Sequence, residues 1–221
     1  MTTSEQRQPL TPERVLRGAV DLADRIGVEA LTMRRLADHL GVKPMSIYHH
    51  VPSKEEILDG MVDIVFGEIV LPPEDLDWQD AIRTRCVSAR SVLNRHPWAP
   101  PLMESRTSPG LATLTHHDAV IACLRRGGLS FALTAHAYAV VDSYLYGFTL
   151  QEANLPFGGG GEITDLADDL VAAMPDEQFP ALVEFVSAVA LRPGYSFGAS
   201  FEYGLDLILD GLARAVDAEG G

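Results

Sequence analysis

Basic and polar residues that could contact a nucleic acid are concentrated between residues 31 and 54. This window holds four basic side chains against one acidic residue, Asp38, and it contains both lysines of the chain, Lys43 and Lys54. Lysine and arginine bind phosphates, and short polar side chains on an exposed helix reach base edges in a major groove. The window therefore indicates a local phosphate-binding surface, although charge clustered on a solvated face would give the same composition.

The rest of the chain argues against nucleic-acid or membrane binding through bulk charge. Its 221 residues include 17 basic and 31 acidic side chains, for a formal net charge of -14. The most apolar stretch, 131–150, contains His136 and Asp142 and favours a buried helix over a membrane span. The two cysteines, Cys86 and Cys123, are too few for a disulfide framework. With no apolar signal segment at the start, the chain is expected in the cytoplasm.

Helix start and stop signals place the basic window on a helix-turn-helix. A first helix is predicted from Thr11, an N-cap, to Gly27, which takes the left-handed conformation cheaply. The second and third are predicted over Thr32–Leu40 and Pro44–His50. The third has one strongly apolar residue, Ile47, and so exposes most of its side chains, as a helix in a major groove would. A capping box, Ser53 to Glu56, then starts a long fourth helix.

Helical patterns continue to the end of the chain, and no alternation of β-branched residues indicates a sheet. We therefore predict an all-α fold, with a flexible tail at 1–10, a DNA-binding domain at 11–70 and a helical ligand-binding and dimerisation domain at 71–221. In the C-terminal domain the predicted helices span 77–96, 111–126, 130–155, 163–174, 179–191 and 196–216.

A resemblance to the DNA-binding domain of the TetR family of bacterial regulators covers residues 11–66. It is carried by LTMRRLADHLGVKPMSIYHHVPSKEEILDGM, in which the turn, the caps, the aromatic residue and the lysine keep fixed offsets. Trp78-Gln79-Asp80 resembles the tetracycline-repressor branch of the family more weakly. The resemblance implies double-stranded operator DNA as a partner and a homodimer whose two recognition helices lie about one DNA turn apart.

The resemblance also implies roles for individual residues. Thr32 and Met33 would lie near a phosphate at a helix N-terminus, and Arg34 would reach a phosphate or a base edge. Tyr48 and Lys54 would contact phosphates, and His49 would pack on the DNA backbone or on a thymine methyl. The major groove would receive Lys43, Pro44, Met45 and Ser46. Three alternatives stay open: a half-buried Tyr48, a solvated His49, and an ion pair between Arg34 and Asp38.

Two C-terminal helices are too apolar for the surface of a monomer. The last one carries eight large apolar residues, with Gly204 and Gly211 seven apart on one face. A glycine within a helix costs about 1 kcal/mol, which the close approach of another helix would offset. We expect this helix and the 130–155 helix to form a four-helix interface with their twofold mates, a deep monomer core being the alternative.

Polar residues at helical spacing predict an effector pocket in the C-terminal domain. Tyr138, Asp142 and Tyr146 form a stripe along an otherwise apolar helix. Facing inward, the stripe would line a pocket, and facing outward it would be a solvated or interfacial edge. The Pro-rich stretch before residue 111 adds a candidate pocket mouth, for which ordinary core and loop packing is the alternative: Trp98, Met103 and Arg106.

These features predict a repressor that a small apolar effector releases from a pseudo-palindromic operator. A ligand-independent or activating DNA-binding regulator is an alternative. An all-α enzyme is less favoured, because the sequence has no phosphate loop, nucleophile elbow or zinc pattern. His116-His117-Asp118 lacks metal-ligand spacing, so we expect no metal and no cofactor. The histidines that hold the metal–drug chelate in the tetracycline branch find no counterpart before Trp78, so tetracycline is not expected as the effector.

Overall fold

Helices account for the regular structure of the residues that can be described. The computed structural model describes residues 9–155, 178–190 and 195–220, and within these ranges no residue lies in a strand. The all-α expectation is therefore confirmed. The chain divides into two compact units, Met1–Tyr146 and Gly147–Gly221. The predicted helix over 163–174 and most of the predicted tail lie outside the described residues.

Four helices open the first unit, and side-chain caps start three of them. The caps are the predicted ones: Thr11 Oγ1 accepts from Arg14 N at 3.1 Å, Thr32 Oγ1 from Arg35 N at 3.2 Å, and Ser53 Oγ from Glu56 N at 3.1 Å. The helices are α1 (Pro12–Ile26), α2 (Met33–Leu40), α3 (Pro44–Tyr48) and α4 (Lys54–Glu68).

Two glycines with positive φ turn the chain between these helices. Gly41 has φ 67° and ψ 34°, the left-handed helical conformation that is cheap only for glycine. Gly27 also has a positive φ, 79°, but its ψ is 154°. Gly27 therefore has the positive φ predicted for it, which favours glycine, although its ψ lies outside the left-handed helical conformation. The chain leaves α1 in an extended direction.

The helix-turn-helix closes around a small apolar core. α1 packs against α2 and α4, and α2 packs against α3. Val15, Ala19 and Ile47 have no exposed surface, and Leu36 is 1% exposed. α4 also packs against the helices that follow it, so contacts continue past residue 70. The domain boundary predicted there stays a prediction.

Four more helices follow α4, and three of them match predicted helices closely. They are α5 (Trp78–Arg95), α6 (Ala99–Met103), α7 (Leu111–Arg126) and α8 (Phe131–Ala153). α5 is capped by Asp77 Oδ1, which accepts from Gln79 N at 2.9 Å and Asp80 N at 3.2 Å. The sequence patterns do not predict α6. Its two prolines stand in the first turn, where a missing N–H costs nothing.

The described part of the second unit contains the end of α8, from Gly147, and two further helical segments. The first is α9 (Pro180–Phe185), which continues as a short π-helix over Val186–Ala190. The second is α10 (Ser200–Gly220), which is preceded by a 3-10 helix over Phe197–Ala199. The ring of Phe148 stacks on Phe197 at 4.6 Å and meets Phe201 edge-on at 5.1 Å. None of the described helices combines the length and apolarity needed to cross a bilayer.

Candidate functional site

The third helix exposes nearly all of its side chains. Ile47 alone among its residues is buried, and it anchors α3 to the core with no exposed surface. Met45 is 66% exposed and Tyr48 is 41% exposed. Pro44 and the preceding Lys43 are exposed as well, and Ser46 is half-buried. The predicted exposure of this segment is confirmed, although the helix ends at Tyr48 and not at His50.

Three cations around α3 form no ion pairs with other described residues. Arg34, Lys43 and Lys54 are exposed, and none forms an ion pair with a described carboxylate. The alternative pairing of Arg34 with Asp38, both of them described residues, is therefore absent. Other arginines of the first unit are paired, for example Arg95 with Glu68 at 2.6 Å. Exposed unpaired cations next to an exposed helix form a surface suited to a polyanion.

The remaining predicted contact residues surround this helix. The hydroxyl of Thr32 caps α2. Met33, the first residue of α2, is half-buried. His49 is exposed directly after α3. Lys54 is the first residue of α4 and follows the cap Ser53. Together with α3, these residues place helix N-termini and side-chain cations on one helix-turn-helix, and we call this set the α3 surface.

A buried ionic cluster lies between α5, α7 and α8. Arg85 has no exposed surface, and its Nη1 donates to Asp142 Oδ1 at 2.6 Å while its Nε donates to His116 Nε2 at 2.9 Å. Burial alone lowers the pKa of Arg85, but the Asp142 carboxylate raises it above its ordinary value. Arg85 and Asp142 are therefore both charged inside the protein, and their opposite charges compensate each other.

His116 is held neutral by its surroundings. Burial and the adjacent Arg85 charge lower the pKa of His116 to about 3. Its Nε2 accepts from Arg85, so its proton is on Nδ1, and that nitrogen has no partner among the described residues. Two further buried polar atoms in this region, Arg85 Nη2 and Thr134 Oγ1, also lack a hydrogen bond there. Unsatisfied buried donors are rare in native proteins and mark a place that a ligand or water completes.

An apolar groove of about 600 Å³ opens beside this cluster, between α7 and α8. Its polar wall is formed by His117 and Tyr138, whose Nδ1 and hydroxyl are hydrogen-bonded to each other. Burial raises the pKa of Tyr138, with Asp142 adding to the effect, and burial lowers the pKa of His117. Four residues complete the lining: Ile121, Phe131, Thr134 and Ala135. We call this cavity the α7–α8 groove.

The six predicted ligand residues fall in several places. Tyr138 lines the α7–α8 groove, and Asp142 lies behind it on Arg85. Burial, and then Asp142, raise the pKa of Tyr146, so its hydroxyl also stays neutral. A second cavity of about 190 Å³ against α4 is lined by Met103, Arg106 and also His117. The sixth residue belongs to neither cavity, since Trp98 is 7% exposed and its Nε1 donates to Asp24 Oδ1 at 2.6 Å.

Sequence reasoning missed Arg85 and considered His116 and His117 only as metal ligands. A signal for Arg85 was present, because it falls at helical spacing on the apolar face of α5, with Ile82, Cys86 and Ala89. A charged residue on such a face needs a buried partner. Among the described residues, no group of three His, Cys, Asp or Glu side chains is arranged to hold a metal ion.

Ionic contacts join the second cavity to α4. Arg106 donates from Nε to Asp59 Oδ1 at 2.5 Å, and its Nη2 lies 2.8 Å from Glu55 Oε2. One turn further along α4, Asp63 Oδ1 accepts from the backbone N and the hydroxyl of Thr113, at 2.8 and 2.9 Å. The ring of Phe66 meets that of His117 at 5.3 Å. α4 is thus bound along its length to the segment that carries the two cavities.

Comparison with known protein families agrees with this arrangement. Residues 15–61 match the family described as bacterial regulatory proteins, tetR family, and residues 71–216 match the family described as tetracyclin repressor-like, C-terminal domain. The two matches cover most of the chain. The protein belongs to the tetR family and is a DNA-binding transcriptional regulator.

Individual relatives carry the same assignment. An HTH-type transcriptional regulator of Saccharopolyspora erythraea is 34% identical over 218 residues, which cover 98% of this chain and 90% of that protein. The HTH-type transcriptional repressor DrrR1 of Streptomyces coeruleorubidus is 32% identical over 213 residues, covering 92% and 77%. The TetR family protein ActR of Streptomyces coelicolor, crystallised in complex with actinorhodin, superposes with a TM-score of 0.77 at 28% identity, covering 95% and 99%.

Proposed function

We propose that this chain represses transcription as a homodimer bound to a pseudo-palindromic operator, and that a small, largely apolar effector releases it. The observation that carries the proposal is α3, a helix that buries Ile47 and exposes Pro44, Met45 and Tyr48. Beside it lie exposed cations that form no ion pair with any described carboxylate. A structural helix of this length would bury more, whereas a major groove receives such a surface. The DNA contacts we propose are Thr32, Met33, Arg34, Lys43, Pro44, Met45, Ser46, Tyr48, His49 and Lys54.

Repression is supported by the relatives. DrrR1 is named a repressor, and the match to it extends over 92% of this chain. A bound dimer on an operator would exclude other proteins from that DNA, which is the simplest route to repression. The operator contact also implies that the protein acts in the cytoplasm, where a bacterial chromosome lies.

A homodimer is supported by apolar surface on the last helix. α10 buries Phe201, Leu205 and Leu209, yet Tyr203 is 70% exposed and Leu207 is 56% exposed. Two large apolar side chains one turn apart on an exposed face are typical of an interface. Gly211 lies on the same helix, and an added Cβ there would meet only the end of Arg214, at 3.9 Å. A closed dimer would place two α3 helices on successive turns of one DNA face, about 34 Å apart.

Effector binding is proposed for the α7–α8 groove, with Tyr138 at its wall and Asp142 behind it. The cavities border one another at His117, and the smaller one, with Met103 and Arg106, borders α4. A ligand that moves α7 would therefore move α4, whose first residue is Lys54. It releases the operator only through a difference in affinity between the two positions of α4. The crystal structure of ActR in complex with actinorhodin supports a small-molecule effector.

A gel-shift titration on the intergenic DNA that flanks the gene tests the DNA contacts. Lys54→Ala is expected to weaken binding and to reduce the salt dependence of the affinity, by about 0.9 in log–log slope for the one phosphate that it no longer neutralises. Tyr48→Phe removes an uncharged hydrogen-bond donor, so it is expected to weaken binding and to leave the salt dependence unchanged. Changes at Lys43 or Ser46 are expected to alter the preferred sequence. Arg126→Ala, which removes an exposed cation at the end of α7, serves as the charge control.

Unchanged binding for Lys54→Ala, Tyr48→Phe and the changes at Lys43 and Ser46 would overturn the contact assignment. A reporter assay with the same DNA separates the modes of regulation. Transcription that falls when the protein is present supports repression, and transcription that rises identifies an activator. A sedimentation measurement that gives one copy per operator would overturn the dimer.

A further inference from the structure

We propose that Arg14 binds a phosphodiester of the operator backbone, so that α1 adds a DNA contact beside the α3 surface. The inference rests on the proposed function, which supplies the bound DNA, and it names a further residue and the chemical group that this residue holds. Three observations carry it: a cavity that joins the start of α1 to α3, the charges that line this cavity, and the contacts that position the Arg14 guanidinium.

A cavity of about 420 Å³ lies between the start of α1 and the start of α3. It is lined by Leu10 and Arg14, by residues 40–43 at the turn from α2 to α3, and by Ser46. We call it the Arg14 cavity. Ser46 belongs to α3 and Lys43 immediately precedes that helix. The cavity is therefore continuous with the surface that we assign to DNA.

The charges that line the Arg14 cavity are both positive. Arg14 and Lys43 are the ionisable side chains among its described lining residues, and none of these residues is acidic. A neighbouring cavity of about 550 Å³ that Arg14 also lines is different, because it includes Glu13 and Asp21 beside Arg17. In a chain with a net charge of -14, a concave place with two cations and no described carboxylate is a local site for an anion.

Local structure directs the Arg14 side chain towards this cavity. Thr11 Oγ1 caps α1 by accepting from Arg14 N at 3.1 Å, so Arg14 lies in the first turn. Side chains of a helix lean towards its N-terminus, which here means towards Leu10. Arg14 Nη2 donates to the carbonyl of Leu40, the last residue of α2, at 3.4 Å. The guanidinium is therefore held beside the turn that leads into α3.

Close packing of α1 and α2 fixes the corner in which the guanidinium lies. Gly18 is buried, and an added Cβ at this position would meet Leu40 Cδ2 at 2.6 Å. The glycine thus allows Leu40 to pack directly on α1. Gly41, with its φ of 67°, then turns the chain towards Lys43 and α3. Donors that packing already holds in place lose less conformational freedom when they bind a phosphate.

A phosphodiester matches what this corner offers. The planar fork of a guanidinium can donate to two oxygens of one phosphate. Lys43 and Ser46, which line the same cavity, are assigned to sequence preference by the proposed function. One DNA strand would then place a phosphate on Arg14 and base edges on Lys43 and Ser46. Because phosphate contacts set the register and base contacts specify the sequence, Arg14 would fix the position in which α3 meets the bases.

Gel-shift titrations at several salt concentrations test the inference, with the full-length protein and the operator fragment that it binds. Arg14→Gln is expected to weaken binding about tenfold, the value of one charge-assisted hydrogen bond. The log–log slope with salt should fall by about 0.9 for each phosphate that is no longer neutralised, and the sequence preference should stay the same. Arg14→Lys keeps the charge and should keep the slope. Arg25→Gln, exposed about 16 Å further along α1, is the matched control and should bind as the natural protein does.

Operators with single methylphosphonate linkages, which carry no charge, identify the phosphate. Neutralising the phosphate that Arg14 binds should weaken the natural protein about tenfold and leave Arg14→Gln unaffected. Neutralising a phosphate that another residue binds should weaken both proteins equally. Arg14→Met, which keeps an unbranched apolar stem, repeats the comparison, so the test does not depend on the folding of one variant. Circular dichroism and a thermal melt establish that each variant is folded.

Different results separate the failure of this inference from that of the proposed function. Full operator affinity with an unchanged salt slope in both neutral variants would overturn the inference alone. Weaker binding without any coupled methylphosphonate would show that Arg14 acts only through the fold, and would also overturn it. Saturable binding of inorganic phosphate without DNA, lost in Arg14→Gln and again without a coupled linkage, would assign the cavity to a free anion. A natural protein that binds none of the flanking DNA would refute the proposed function and, with it, the contact.

Discussion

Protonation of His116 in the unfolded state should lower the stability of the fold at mildly acidic pH. The ring has no exposed surface and accepts a hydrogen bond from Arg85 Nε, and its pKa falls to about 3 from an ordinary value of 6.5. Between these two values the unfolded state binds a proton that the folded state does not. The free energy of unfolding therefore decreases as the pH falls below about 6.5, and it approaches its full loss only near pH 3.

The size of the effect follows from the two pKa values. Each unit of pH between them changes the free energy of unfolding by about 1.4 kcal/mol. Between pH 7 and pH 5, this one imidazole should cost the folded state about 2 kcal/mol. The pKa of His117 is lowered as well, so His117 adds a loss of the same sign. The contribution of His116 must therefore be isolated by a variant.

Urea unfolding followed by the fluorescence of Trp78 and Trp98 measures the loss at pH 7 and at pH 5. His116→Gln keeps an acceptor for Arg85 Nε but cannot be protonated, so its loss between the two pH values should be smaller by about 2 kcal/mol. His136→Gln, an exposed change on α8, should lose as much stability as the natural protein. An equal loss in the natural protein and in His116→Gln would refute the reasoning from burial.

Three further predictions concern the ionic and apolar contacts of the first unit. Asp142→Asn leaves the Arg85 charge without its carboxylate and should lower the free energy of unfolding by about 3 kcal/mol. Arg85→Met combined with Asp142→Leu should restore most of that free energy, because it removes both charges. Strictly additive losses from the two positions in urea unfolding would contradict the prediction. Ile47→Ala should cost about 3 kcal/mol and lower the melting temperature, because the residue is fully buried; a melt unchanged from the natural protein would argue against its role as the anchor of α3. Arg106→Gln breaks the contacts with α4 and should raise the effector concentration needed for operator release by about fivefold, with operator affinity in the absence of effector nearly unchanged; loss of operator affinity alone would indicate a different role.

The sequence was most informative where local chemistry decides the structure. Thr11, Thr32, Ser53 and Asp77 start their helices because a side-chain oxygen satisfies a backbone N–H within three residues. α7 begins and ends at the predicted residues. The sequence did not predict α6 because proline usually argues against a helix, although it is tolerated in the first turn. The helix predicted over 179–191 changes from α-helix to π-helix at Val186, and no local signal in the sequence marks that change.

The candidate sites differ in how well the sequence revealed them. The α3 surface follows from one short segment whose residues lie close together in the chain, so its exposure was predictable. The ionic cluster joins Arg85 and Asp142, which are 57 positions apart. The spacing of Tyr138, Asp142 and Tyr146 established that they share a helix face, but the direction of that face depends on the packing of α8. Long-range contacts of this kind follow from tertiary packing and not from periodicity.

The distribution of lysines has a practical consequence for work with this protein. Lys43 and Lys54 provide the only side-chain amines in the chain, and both are exposed on the α3 surface. Amine-coupled immobilisation or labelling would therefore attach through this helix-turn-helix or through the α-amino group. Enzymatic acetylation of either lysine would remove a positive charge from the same surface. Sensor experiments should tether the oligonucleotide and leave the protein in solution.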